Sequence, residues 1–188
     1  PLMLGFPDHS DNKFKKVLLD DGYTITIIDQ VTPAPNPRRE IVEVCSPGTV
    51  INDFCRDVDN YLASIWIDCG ETNDKKIHTV GISLINVQTG KNIVNHISTP
   101  ISDENHWKNE LNRIMNSFSI VETVVHMSDS VTYSDNELTN IFDILDKCNS
   151  FHIYKKDIKQ FSKISYQNDI LNKVFNLNNM LSPIEYFD

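Results

Sequence analysis

The chain has 188 residues, which suits one ordinary domain, or one domain with part of another, and is enough to bury a sizeable core. Its hydrophobic share of 40% and charged share of 23% lie near the globular average and exclude wholesale disorder, and no apolar run approaches the length of a bilayer-spanning helix. A formal net charge of −9 has the wrong sign for a stand-alone binder of phosphate backbones, because nonspecific affinity comes from Lys and Arg releasing counterions.

The first residue is Pro1, with no initiator methionine and no signal-peptide pattern, and the last, Asp188, follows an apolar-aromatic run. We expect a piece of a longer protein. The four cysteines form no C-x-x-C pair and the six histidines no H-x-x-x-H pattern, which predicts a reduced intracellular protein without structural zinc.

In chain order, "HSDNKFKKVLLDDG" (9–22) places Phe14, Val17 and Leu18 at helical spacing, with Ser10 or Asp11 as N-cap and Gly22 as stop. "YTITIIDQV" is β-branched and reads as a strand, "TPAPNP" as a loop, and "RREIVEVCS" as a second strand ending at Pro47-Gly48. One helix and two strands make half a domain, since two strands cannot bury both faces or protect their edges. Residues 51–58 lack periodicity and read as a linker.

From residue 59 the pattern is richer. "YLASIWID", "KIHTVGISLINVQTG" and "KNIVNHIST" read as three strands, with Gly90 placed to turn the second into the third. "SDENHWKNELNRIMNSF" is an amphipathic helix with Trp107, Leu111, Ile114, Met115 and Phe118 on its apolar stripe. "IVETVVHMS" is a buried strand, "SDNELTNIFDILDKC" a helix capped by Ser134, "SFHIYKK" a last strand and "YQNDILNKVF" a last helix; "NLNN" is a short turn. The order βββαβαβα predicts an α/β fold, a helix-covered mixed sheet of ribonuclease H-like layout.

That layout raises a chemical question, because ribonuclease H-like nucleases hold two Mg²⁺ ions with an Asp within the first strand, another at the end of the fourth, and further carboxylates from helices. Asp68 ends "SIWID" and Asp129 follows "VVHMS", so both positions carry an acid. The bland reading is that Asp68 opens a turn at "DCGETND", and that Glu104 merely favours a helix dipole. His126 reads as a core histidine, Trp66 and Trp107 as core or partner-facing residues, and Gly81 as a bulge or close backbone approach. Arg38-Arg39 could meet a phosphate or stand as a solvated strand start. No phosphate-cradling glycine loop is present.

Several stretches, in order, resemble the MutS DNA mismatch-repair family. "MLGFPDH" (3–9) is similar to the family's M-A-G-x-P-x-H run, "IIDQV" to its strand ending in E-Q, and "RREIVEVCSPGT" to the segment that finishes the mismatch-recognition domain. "NYLASIWID" and "GISLINVQTG" resemble the start and a later strand of the connector domain. The resemblance implies that residues 1–50 are the C-terminal part of the recognition domain, 51–58 a linker, and 59–188 a ribonuclease H-like connector without nuclease activity. It also implies that a Phe-x-Glu wedge lies upstream of Pro1 and that lever, clamp and ATPase domains follow Asp188.

Carried over residue by residue, Met3, Leu4 and Gly5 match a loop that approaches the minor groove, and Arg39, beside Arg38, a basic position on the last strand. Glu43 stands where bacterial members often carry Arg, Asp8 replaces a common Tyr, and Asn86 a usual Asp. Gln167, Asn168 and Asp169 lie beside the family's helix that contacts a MutL-like partner. For this fragment the resemblance implies no enzyme activity and no cofactor. It implies mismatched double-stranded DNA, ATP, Mg and a dimeric state for the full-length protein. "LSPIEYF" resembles a viral and organellar branch with an appended nuclease domain.

Overall fold

The computed structural model describes residues 5–51, 60–72, 75–128, 133–146, 148, 150–154, 160–161 and 163–175. By contacts the chain forms two compact units, Pro1–Tyr154 and Lys155–Asp188. The expected linker falls almost wholly, and "NLNN" wholly, outside the described residues.

The first unit opens with a short 3-10 turn, Asp8–Ser10, and helix α1, Asp11–Asp20. Gly22 stops the helix as expected. Its φ of 85° is in the left-handed region, and its N–H bonds the Leu19 carbonyl while that of Tyr23 bonds Leu18. Strands β1, Ile25–Gln30, and β2, Arg39–Cys45, pair antiparallel, with a register shift at Ile27/Ile28 that leaves Val42 without an opposite residue. The apolar stripe of α1 is left uncovered. Phe14, Val17 and Leu18 are exposed, and the small cluster here is Leu19, Cys45 and Val50 with Ile25 against it. A two-stranded ribbon gives α1 too little surface to cover more than one of its residues fully.

The main sheet has five strands in the order Asn92–Pro100 (β5), Lys75–Ile85 (β4), Tyr61–Thr72 (β3), Ile120–Met127 (β6) and Ser150–Tyr154 (β7). Strand β3 is central, paired antiparallel to β4 and parallel to β6. Strand β5 joins β4 antiparallel and β7 joins β6 parallel. This is the ribonuclease H-like arrangement: three meander strands on one side, two parallel strands returning on the other. The turn between β4 and β5 has Gly90 at φ 72°, and buried Asn86 accepts from the N–H groups of Gln88 and Thr89.

Helices α2, Glu104–Ser117, and α3, Asp135–Leu145, make the crossovers. Trp107, Leu111, Ile114 and Met115 of α2 and Ile141 and Leu145 of α3 are buried in one cluster with Ala63, Ile65, Ile67, Val80, Ile82, Leu84 and Val125 of the sheet. At the start of α3, Ser134 donates from its backbone N–H and its hydroxyl to the Glu137 carboxylate, at 2.7 and 2.6 Å. Those bonds hold the Glu137 pKa below the ordinary carboxylate value.

Two expectations are corrected. Strand β3 does not end at Asp68; its ladder with β4 continues to Thr72↔Lys75, so Asp68 lies inside the hairpin and opens no turn. The register is continuous through Gly81, and a Cβ there would meet Trp66 Cβ at an ordinary 3.8 Å, so Gly81 marks neither a bulge nor a forced close approach. Leu111, wholly buried, anchors α2. Leu111→Ala should destabilise the unit by about 2–5 kcal/mol, read from equilibrium urea unfolding.

Candidate nucleic-acid and partner surfaces

Of the residues expected near DNA, Met3 and Leu4 lie outside the described residues, while Gly5 is exposed ahead of the first turn. Next to it Phe6 stacks on Phe14 of α1, ring centroids 4.4 Å apart. Arg38 and Arg39 stand at the other feature, the loop end of the ribbon, where Arg39 pairs across to Gln30. That loop is braced: Thr32 Oγ1 accepts from the Arg38 N–H at 2.7 Å and donates to the Asn36 carbonyl, and Val31 N–H bonds the Arg38 carbonyl. Arg38 forms a surface ion pair with Glu40. Such a pair contributes at most about 1 kcal/mol and is screened by salt, so the guanidinium is readily redirected.

Glu43, acidic where the resemblance has a basic residue, belongs to a charge triad. Lys15 Nζ of α1 is 2.7 Å from Asp11 and 3.5 Å from Glu43. The hydrogen bond that Lys15 donates to Asp11, with the attraction of both carboxylates, raises the Lys15 pKa. Position 43 therefore ties α1 to the ribbon. Around the triad the ribbon is apolar and uncovered: Ile28, Ile41, Val42 and Val44 are all more than half exposed.

Of the two carboxylates of the nuclease alternative, one lies among the described residues. Asp68 Oδ1 accepts the Cys69 N–H at 2.7 Å, and Asp129 lies outside the described residues. Among the described residues no group of three His, Cys, Asp or Glu side chains gathers to hold a metal ion. His126 is half-buried rather than a core histidine: its ring is tilted over Trp66 with centroids 4.0 Å apart, and its buried Nδ1 has no hydrogen-bond partner. In the second unit, helix α4, Ile164–Phe175, carries the residues expected to meet a partner. Gln167 is half-buried and donates to the Phe161 carbonyl at 2.6 Å, Asn168 is half-buried and Asp169 exposed, so they do not form one open face.

One functional candidate was missed in the sequence: Glu122, an acid in the apolar run "IVETVV", which is buried on β6. The warning was its company, since an unpartnered carboxylate would not sit among such residues.

A ribonuclease H-like sheet preceded, in the same compact unit, by a helix and an antiparallel ribbon defines a two-part α/β protein. A family model described as MutS domain I matches residues 2–53. The chain is 30% identical to mutS homolog L359 of Acanthamoeba polyphaga mimivirus, named for DNA mismatch repair, over 93% of this chain and 17% of that protein. It is 34% identical to the DNA mismatch repair protein MutS of Halothermothrix orenii over 60% of this chain and 12% of that one, and 30% identical to that of Finegoldia magna over 73% and 18%. Ribonuclease H1 of Halobacterium salinarum is a structural neighbour with a TM-score of 0.35 and 10% identity, covering 62% of this chain and 99% of that one. The chain belongs to the MutS family of DNA mismatch-repair proteins. It spans less than a fifth of the length of these curated MutS relatives.

The triad gives a sign for alkaline behaviour. Because the folded-state pKa of Lys15 is raised above 10.5, its contribution is complete below that value and is lost as pH rises through the raised one. Thermal melts of the wild type above pH 10.5 should fall more steeply with pH than those of Lys15→Met, and parallel curves would show the triad to be inert.

Proposed function

We propose that this chain is the part of a mismatch-repair MutS protein that transmits between a DNA-gripping domain and an ATPase, and that it carries no catalysis itself. The observation that carries the proposal is the joint one: the MutS domain I match over residues 2–53, and downstream of it a complete five-stranded ribonuclease H-like sheet. In this reading the ribbon is part of the recognition domain, and its exposed apolar residues are where further structure of that domain packs. Residues 59–188 are the connector.

Discrimination of a mismatch requires deforming the duplex, and a wedge inserted between base steps is the usual means. We assign that task, with ATP and Mg binding and dimerisation, to other segments of an intracellular full-length protein. The MutL-like partner docks on the connector, with Gln167, Asn168 and Asp169 as the candidate contacts. Here the DNA contribution is local and electrostatic: Met3, Leu4 and Gly5 approach the groove, and Arg38 and Arg39 meet phosphates. Phosphate contacts position a protein without reading sequence.

The competing reading is a Mg-dependent nuclease, favoured by one observation, the acid Asp68 on the central strand β3. Incubation with labelled duplex and Mg²⁺ or Mn²⁺ separates the two. We expect no cleavage; cleavage abolished by Asp68→Asn would overturn the connector assignment. For DNA contact, Arg38→Ala with Arg39→Ala should weaken binding equally for matched and mismatched duplexes and lower the salt slope by about two. An unchanged slope would remove both arginines from the interface.

A further inference from the structure

Glu122 is 6% exposed, yet it makes three polar contacts, and two of them reach back more than seventy residues. Its Oε2 accepts the Ser46 hydroxyl at 2.5 Å and the Gly48 N–H at 2.9 Å. Its Oε1 lies 3.0 Å from His152 Nε2 on β7, and that nitrogen is 2.9 Å from the Ser150 hydroxyl. A bonded carboxylate in a shielded site is held far more firmly than one in water, and removing its partners leaves a buried charge without compensation.

The turn is built to receive it. Ser46 N–H donates to Thr49 Oγ1 at 2.9 Å, the two hydroxyls are 2.8 Å apart, and the N–H groups of Thr49 and Val50 both bond the Ser46 carbonyl. Position 48 leaves little space for a side chain unless the Glu122 carboxylate shifts. A Cβ there would stand 2.9 Å from Glu122 Oε2 and 3.1 Å from both Glu122 Cβ and Leu62 Cβ. Leu62 and Glu122 are register partners on β3 and β6, and Ser150 on β7 continues the row, so the turn seats on one end of all three parallel strands.

We infer that Glu122 is a positioning residue: through Ser46 and Gly48 it clamps the end of β2 to the sheet, so that the ribbon and the sheet move as one body. Strand β2 ends at Cys45, one residue before the clamp, leaving no slack between them. The inference stands on the fold and is independent of what the ribbon grips.

Residual dipolar couplings and amide exchange, measured on the ¹⁵N-labelled 188-residue chain, test it. In the wild type one alignment tensor should fit β1–β2 and β3–β6 together. In Glu122→Ala the tensor magnitude of the ribbon should fall about twofold or more, and the Gly48 amide should exchange about tenfold or more faster, with β3 and β6 amides unchanged. Gly48→Ala should act the same way without altering the sheet, which keeps the test open if Glu122→Ala fails to fold. A ribbon still sharing the tensor of the sheet in Gly48→Ala would overturn the proposal. So would loss of protection in β3 and β6 in step with the ribbon, because Glu122 would then hold only the sheet.

Discussion

The parallel pairing of β3 with β6 is the constraint from which the rest of the fold follows. Strands β3, β4 and β5 form a meander that carries the chain to one edge of the sheet, and β6 must then pair on the far side of β3. The connection has to cross the face of the sheet, and a helix is the compact way to do so without leaving backbone groups unpaired. Hence α2 lies over the sheet, and its Trp107, Leu111, Ile114 and Met115 become the roof over Ile65, Ile82 and Val125. Because β3 is central, its inward residues Ala63, Ile65 and Ile67 are essentially inaccessible.

The same constraint sorts the acids. Glu122 lies towards the start of the parallel strands and Asp68 towards the far end of β3, so two carboxylates on neighbouring strands live in different environments. Glu122 accepts from Ser46 and Gly48 in the turn after β2 and faces His152 of β7. Asp68 is partly open and turns an oxygen back on its own chain at Cys69. In parallel α/β sheets chemistry gathers at the carboxyl ends, and the opposite end serves stability. Glu122, at the stability end, joins two parts of the molecule.

Element types were legible from periodicity wherever a residue has a side to face. The stripe Trp107, Leu111, Ile114, Met115 predicts α2, and all four are buried. The same reasoning failed for Phe14, Val17 and Leu18 because periodicity reports which face is apolar and not whether anything covers it. The extension of β3 past Asp68 was hidden because "DCGET" has turn-like composition, while the ladder with β4 supplies the pairing that overrides it. Glu43 and Glu122 show the deeper limit. Their partners Lys15, Ser46 and Gly48 are brought to them by the fold, and no local pattern announces a contact spanning 74 residues. Asn86 is legible in hindsight: the turn uses only its side-chain oxygen, which Asp would also supply, so the departure from the usual Asp keeps the bonds to Gln88 and Thr89.

In the proposed function, Arg38 and Arg39 are the small basic feature through which an acidic chain would meet DNA. Arg38 and Arg39 sit at the loop end of the ribbon, and the Ser46–Gly48 clamp lies beyond its other end. Seven residues of β2 at about 3.3 Å each make a rigid arm of roughly 20 Å between them. A two-stranded ribbon alone is a poor lever, since it twists and frays. Fixed at its base by a carboxylate bonded to a hydroxyl and a backbone amide, it transmits displacement of its tip as rotation of its root. Over that length, a rotation of the joined ribbon and sheet by a few degrees moves the tip by roughly one or two ångströms. The glycine at position 48 is what lets that joint close without slack.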